Sequence, residues 1–273
     1  MNREANNPIV PRKMDFDFDP GELPKWWFGG NPFVTHYANG MHIVFPEGER
    51  FFIRSVKHYL DQIDDDALKD RARQFFQQEA QHGREHGMSF EVLEAHGYDV
   101  RALLHDFEKV QMGRVERYLP PLLKLSITVA LEHLTAAMGA NALTDDYLER
   151  MHPTMLALVR WHASEEIEHK SVAFDVLSRV SSSYLLRVSG MVLGLIGLQL
   201  FSGRAARALL KQDNLTREEH DRFIGEAQER QKHFSRMMRR AIVDYLKPGF
   251  HPDQEDNYHL ARDYLGSIGR LTA

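Results

Sequence analysis

The feature that most constrains this chain is one glutamate, Glu132, set in the apolar run ITVALEHLTAAMG. The run reads as a helix with little polar face. An ionised carboxylate in such surroundings is costly unless it is paired or bound to a metal. The fold must therefore bring a partner to Glu132, and the rest of the sequence offers partners of one kind.

Three E-x-x-H pairs occur, Glu79–His82, Glu149–His152 and Glu166–His169, where chance gives about one in a chain with 20 Glu and 15 His. Residues three apart share a helix face, so both side chains of such a pair can point at one spot. Glu149–His152 ends against Pro153 in a polar stretch and is set aside. The other two have matching surroundings: QFFQQEAQHGREH places its pair after two Phe, and WHASEEIEHKSVAF places its pair before Val172, Ala173 and Phe174. A second lone glutamate is Glu49 in FPEGERFFI. It competes with Glu47, since both sit near an expected helix start where acids favour the dipole, and is preferred because it lies one turn from Phe52 and Ile53. The order is then Glu, E-x-x-H, Glu, E-x-x-H on four successive helices, the ligand arrangement of ferritin-like di-metal carboxylate bundles. Four carboxylates with two neutral imidazoles balance two divalent cations. The mixed oxygen and nitrogen set suits two Fe ions or Mn, with Zn still open.

Neighbouring residues have plainer roles. Glu165 and Glu168 are rotated away from the ligand face and are expected in solvent or behind the ligands. His86 lies one turn after His82, and His162 one turn before Glu166. Each is a candidate for a further ligand or for a donor behind the ligands. His133 points away from the Glu132 face. Asp175, in the apolar AFDV stretch, calls for a partner, either a ligand histidine or an arginine.

The 273 residues are 43% hydrophobic and 27% charged, with net charge −5, the balance of a soluble globular protein with no basic patch for nucleic acid. Without Cys there is no disulfide, thiolate site or thiol nucleophile. No signal pattern opens the chain, and a cytoplasmic location is expected. The class predicted is all-α: a ferritin-like four-helix bundle with additional C-terminal helices. Residues 1–40 read as an irregular, proline-punctuated arm, 41–210 as the bundle plus an apolar helix, and 211–273 as a helical extension packed on the bundle. Helices are expected from Pro46 or Gly48 through 63, over 67–95, over 106–118, from Pro120 and Pro121 onward, from Pro153 to about Val180, over 184–210, and from a capping box at Thr216 to about Tyr245. Within the apolar helix, Gly190, Gly194 and Gly197 give a G-x-x-x-G spacing. That spacing suits a buried or homodimer-interface helix, the alternative being contact with lipid or a tunnel for a greasy substrate. In the basic stretch RQKHFSRMMRRAIVDYLK, Phe234, Met238 and Ile242 are expected to face the core.

The segments FPEGERFF, QEAQHGREH, ALEHLTA and WHASEEIEHKSVAFDV, spread over residues 41–210, resemble those of a bacterial family known as predicted metal-dependent hydrolases. The resemblance implies a ferritin-like bundle holding two metals on Glu49, Glu79, His82, Glu132, Glu166 and His169. The pattern is more distantly similar to di-iron arylamine N-oxygenases, whose extra histidine His86 or His162 could supply. Three functions are weighed. The first is a di-iron oxygenase or oxidase using O2 and an electron donor on a small apolar substrate. The second is a di-metal hydrolase needing a base from among Glu165, His162 and His86. The third is a non-enzymatic iron-binding protein, against which the chain's extra helices count.

Overall fold

The computed structural model describes residues 8–272. They are helical throughout, apart from loops and a single β-bridge between Phe28 and Met151. Four helices form the centre: α1 (Pro32–Lys57), α2 (Asp66–Met88), and, after three short helices α3 (Phe90–Ala95), α4 (Val100–His105) and α5 (Met112–Tyr118), the long α6 (Pro121–Thr144) and α7 (Pro153–His169). Glu49 rides on α1, Glu79 and His82 on α2, Glu132 on α6, Glu166 and His169 on α7. α8 (Val172–Val180) continues α7 against α2 and α6. α9 (Tyr184–Gln212) and α10 (Arg217–Tyr245) cover α6 and α1, and α11 (Tyr258–Ser267) packs on α7.

The expected helix start at Pro46 is wrong. α1 begins at Pro32, capped by Asn31, whose side chain accepts from the Phe33 and Val34 amides, and it runs through Pro46. The expected arm of 1–40 therefore gives up its last nine positions to α1. An internal proline costs a helix about 3 kcal/mol. Here the loss is offset by burial, since Pro46 is itself buried and packs where α2 comes close. A Cβ on Gly83 would lie 3.5 Å from Pro46 Cα and 3.1 Å from Glu49 Oε2. Two other helices end sooner than predicted. α2 stops at Met88, where Ser89 Oγ donates to the His86 carbonyl at 2.7 Å, the local competition that takes serine out of helices. α7 stops at His169. Lys170 there turns to the C-terminal segment, Nζ donating to the Glu255 carbonyl and Asn257 Oδ1. The capping box at Thr216 and Glu219 forms as predicted, and Met238 is buried on the core side of α10 with Phe234 and Ile242 packed beside it.

Two glycines of α9, Gly190 and Gly194, serve contact with α6. Ser126 Oγ of α6 donates to the Leu186 carbonyl at 2.8 Å, and a Cβ on Gly190 would sit 2.2 Å from that Oγ. Gly190→Ala should therefore force α9 off α6 and cost about 1–3 kcal/mol, read as a lower Tm. An unchanged Tm would show that the contact is not tight. α6 and α9 are both long and apolar enough to cross a membrane by length and composition. α6 is mostly buried, whereas Leu185, Val192, Ile196 and Leu200 of α9 are exposed.

Candidate metal centre

The bundle axis gathers the six residues of the predicted set. Glu49, Glu79, His82, Glu132, Glu166 and His169 are all 3% exposed or less. His169 Nε2 lies 3.1 Å from Glu79 Oε1, 3.4 Å from Glu132 Oε2 and 3.5 Å from Glu166 Oε1. His82 presents its other nitrogen: Nδ1 is 3.6 Å from Glu79 Oε1 and 3.6 Å from Glu166 Oε1. Donor atoms of Glu49, Glu79 and His82 fall within 4.8 Å of one another, as do those of Glu79, Glu166 and His169. Glu79 thus stands between two half-sites. Glu47, the rejected alternative to Glu49, pairs with Arg50 and Arg54 at the surface. Glu149 pairs with Arg160, and His152 caps α7, so the third E-x-x-H is structural.

The atoms that face the centre have no hydrogen-bond partner. Both oxygens of Glu49, Glu79 and Glu132, Oε2 of Glu166, Nδ1 of His82 and Nε2 of His169 are buried and unsatisfied. Buried polar atoms are rarely left so, and among the described residues nine of the twelve belong to these six side chains. Carboxylate oxygens and imidazole nitrogens left unsatisfied side by side in this way fit a cation-binding cluster. Their electrostatics agree. Burial, reinforced by repulsion from Glu79, pushes the Glu49 and Glu132 carboxyls well above the usual carboxylate range. Burial also disfavours a proton on His82, yet Glu165 and Glu79 outweigh it and hold the imidazole up at about 10. His169 is raised for the same reason, by Glu166 and Glu132. Glu79 and Glu166 go down, because the nearby histidines overcome their burial. The metal-free cluster therefore holds protons at neutral pH, on groups whose pKa values are raised. Cations must displace those protons, so metal affinity should rise with pH, by at least about tenfold per unit between pH 6 and 8. Titration of chelated protein with Mn(II) across that range checks this, and a flat profile would mean that the cluster is already deprotonated.

A family model described as "Predicted metal-dependent hydrolase" matches residues 10–256. The chain belongs to that family. No curated protein and no solved structure matches it. The matched span is wider than the 41–210 of the four motifs, and reaches back to include Arg12.

Within the centre the two motifs brace each other. The residue before each motif glutamate holds the histidine of the other motif. Gln78 Oε1 accepts from His169 Nδ1 at 2.9 Å, and Glu165 Oε2 meets His82 Nε2 at 3.1 Å. Each imidazole is thereby turned so that its free nitrogen faces the centre. Glu165 and Glu168, expected in solvent or behind the ligands, are behind them: Glu165 also accepts from Trp161 Nε1 at 3.1 Å, and both are paired with Arg12. The Arg12 guanidinium reaches Glu165 at 3.0 Å and grips Glu168 with two bonds of 2.8 Å. Sequence reasoning missed Gln78, although its place before Glu79 mirrors Glu165 before Glu166. It had no signal for Arg12, which lies in the irregular arm.

The extra histidines stand in line. His162 Nε2 is 2.9 Å from Glu166 Oε1 and 3.8 Å from Glu49 Oε1. His86 Nε2 meets His162 Nδ1 at 2.6 Å, and His42, which the sequence did not single out, meets His86 at 2.8 Å. His162 thus touches the carboxylates while His86 lies one step back, though a donor atom of each falls within 4.8 Å of Glu49's. Burial keeps this row neutral, with His42 pushed down to about 3. His133 is elsewhere, bonded to the Ala241 carbonyl. Asp175 takes Arg71 and His251 as partners, not a ligand histidine.

A cavity of about 430 Å³ opens between α1, α6, α7 and α10, within the usual range for small-molecule sites. Phe45, Met41, Met138 and Ala163 line it, and His86, His162 and Glu166 reach its wall. Phe45 stands edge-on to His162 with ring centres 5.0 Å apart.

Proposed function

We propose that this chain is a dinuclear metalloenzyme whose two ions sit on Glu49, Glu79, His82, Glu132, Glu166 and His169, and that it is a di-iron oxidase or oxygenase of a small apolar substrate. One observation carries the metal reading: the inward atoms of these residues are buried and unsatisfied together. The oxidative chemistry is supported by the donor set, four carboxylates to two imidazoles, and by the apolar cavity that ends on Glu166 and His162. A pair of redox-active ions held there would supply electrons to O2, whereas redox-inert ions would supply Lewis acidity and an activated water. The protein's own part is common to both. Gln78 and Glu165 fix the imidazoles, the apolar walls exclude water, and Phe45 and His162 shape the end of the cavity against which a substrate rests.

Hydrolysis is the second reading, and the family's description favours it. It needs a general base beside the centre. Glu165 is committed to Arg12, Trp161 and His82, and His86 lies one step back. The base is then His162, which faces the cavity. Metal analysis of protein purified without added metal, followed by two assays, separates the readings. About two irons per chain and O2 consumption by the reduced protein support the oxidative one. Cleavage of p-nitrophenyl esters restored to chelated protein by Zn or Mn alone, and lost in His162→Ala, moves the assignment to hydrolysis.

A further inference from the structure

The cavity meets only one half of the centre. Of the six proposed ligands only Glu166 lies on its wall, accompanied by His162 and His86. Glu79, Glu132 and His169 are closed off behind. Along α1 its wall runs from Phe33 to Phe45, a distance of about 18 Å at the rise of an α-helix. Along α10 it runs from Ile224 to Phe234, about 15 Å on the same basis. A volume of about 430 Å³ drawn out over that length is a narrow channel.

Among the described residues, the channel's polar lining carries no spare cation. Arg230, at the α10 rim, is paired with Asp145 and lies over the Tyr147 ring at 4.5 Å. The other polar groups at that rim, Asn141, Gln228 and Gln231, are neutral amides. Gln228 and Gln231 are exposed, so a carboxylate or phosphate head would stay in water there and gain no ion pair from this rim. An amide rim instead suits a hydroxyl, carbonyl or amide head, or none.

Resting on the dinuclear reading above, we infer that the substrate is an elongated, uncharged apolar molecule, of the class of long-chain alcohols, aldehydes or hydrocarbons. It lies along α1 and α10, with its reacting end against Glu166 and His162. Ala38 on α1 and Ala227 on α10 both line this path. Both are partly buried and packed against the neighbouring core cluster, so a larger side chain at either position obstructs the channel at some cost in packing.

The probes are octanol, decanol and dodecanol, with the matching alkyl sulfates as permanent anions, titrated below their micelle concentrations into the protein as purified. Each two-carbon step in the alcohol series should tighten binding roughly tenfold, the transfer of two methylenes out of water. Each alcohol should bind more tightly than its sulfate. Ala38→Trp and Ala227→Trp should each weaken dodecanol binding at least tenfold while helix content and metal content stay unchanged. Binding that ignores chain length, that favours the sulfates tenfold, or that survives both tryptophans would overturn the inference. Metal content read on the same samples keeps the two readings apart. Metal present without alcohol binding sinks the channel alone, and alcohol binding without metal sinks the dinuclear centre.

Discussion

Glu132→Ala will retain at most one metal ion per chain, because the side chain removed supplies two of the unsatisfied oxygens that face the centre. Elemental analysis reads this directly, and full metal content in the variant would refute the ligand assignment. Stability should respond with opposite signs in the two forms. Loaded wild-type protein gains from its ions by mass action, about 2.7 kcal/mol for a site held at one hundred times its Kd, and the variant forfeits that gain. Chelated protein has no such gain to lose. There Glu132 is a buried carboxyl pushed well above its usual range by burial and by Glu79, and its removal relieves the cluster. The near-isosteric Glu132→Gln avoids the cavity that alanine leaves. It should therefore melt lower than wild type when both are loaded, and at the same temperature or higher when both are chelated. A merely structural glutamate would lower both.

Arg12→Ala should be the most destabilising single change outside the centre. Its side chain is 2% exposed and it serves Glu165 and Glu168, themselves 0% and 12% exposed. Removing one partner of a buried ion pair leaves the other charge uncompensated, at a cost of about 3–5 kcal/mol. Two carboxylates are stranded here, so the upper end is expected in urea titration. The loss should be smaller when Glu168→Gln is combined with it, since the double variant strands one charge fewer. Arg12→Lys should rescue poorly, because an ammonium cannot reproduce the two-pronged grip on Glu168. Function should suffer as well. Glu165 orients His82, and loss of such support commonly costs 10- to 100-fold in metal affinity. A variant with normal stability and metal affinity would mean that the arm merely rests on the bundle.

Both variants bear on how much could be read from the chain. The ligand candidates were legible because their signal is local. Spacing of three places Glu and His on one helix face, and an apolar run around Glu132 makes a carboxylate conspicuous. Glu49 could be told from Glu47 by its register with Phe52 and Ile53. Helix starts at Pro121, Pro153 and Thr216 were local too, since a cap or a first-turn proline acts within one turn. The start of α1 was not. Pro46 looks like a first residue, and only packing against α2 lets the helix run through it.

The sequence by itself determined an all-helical chain and which acidic and imidazole side chains could face one another, because helical periodicity and the cost of burying charge act over a few residues. Only the tertiary structure decided that Gln78 and Glu165 hold each other's motif histidines, that Arg12 from the irregular arm neutralises the layer behind them, that Gly190 and Gly194 of α9 meet α6, and that a channel lies between α1 and α10. These are relations between elements far apart in the chain. They are set by how the helices interlock, a matter of shape and packing that no short window of sequence contains.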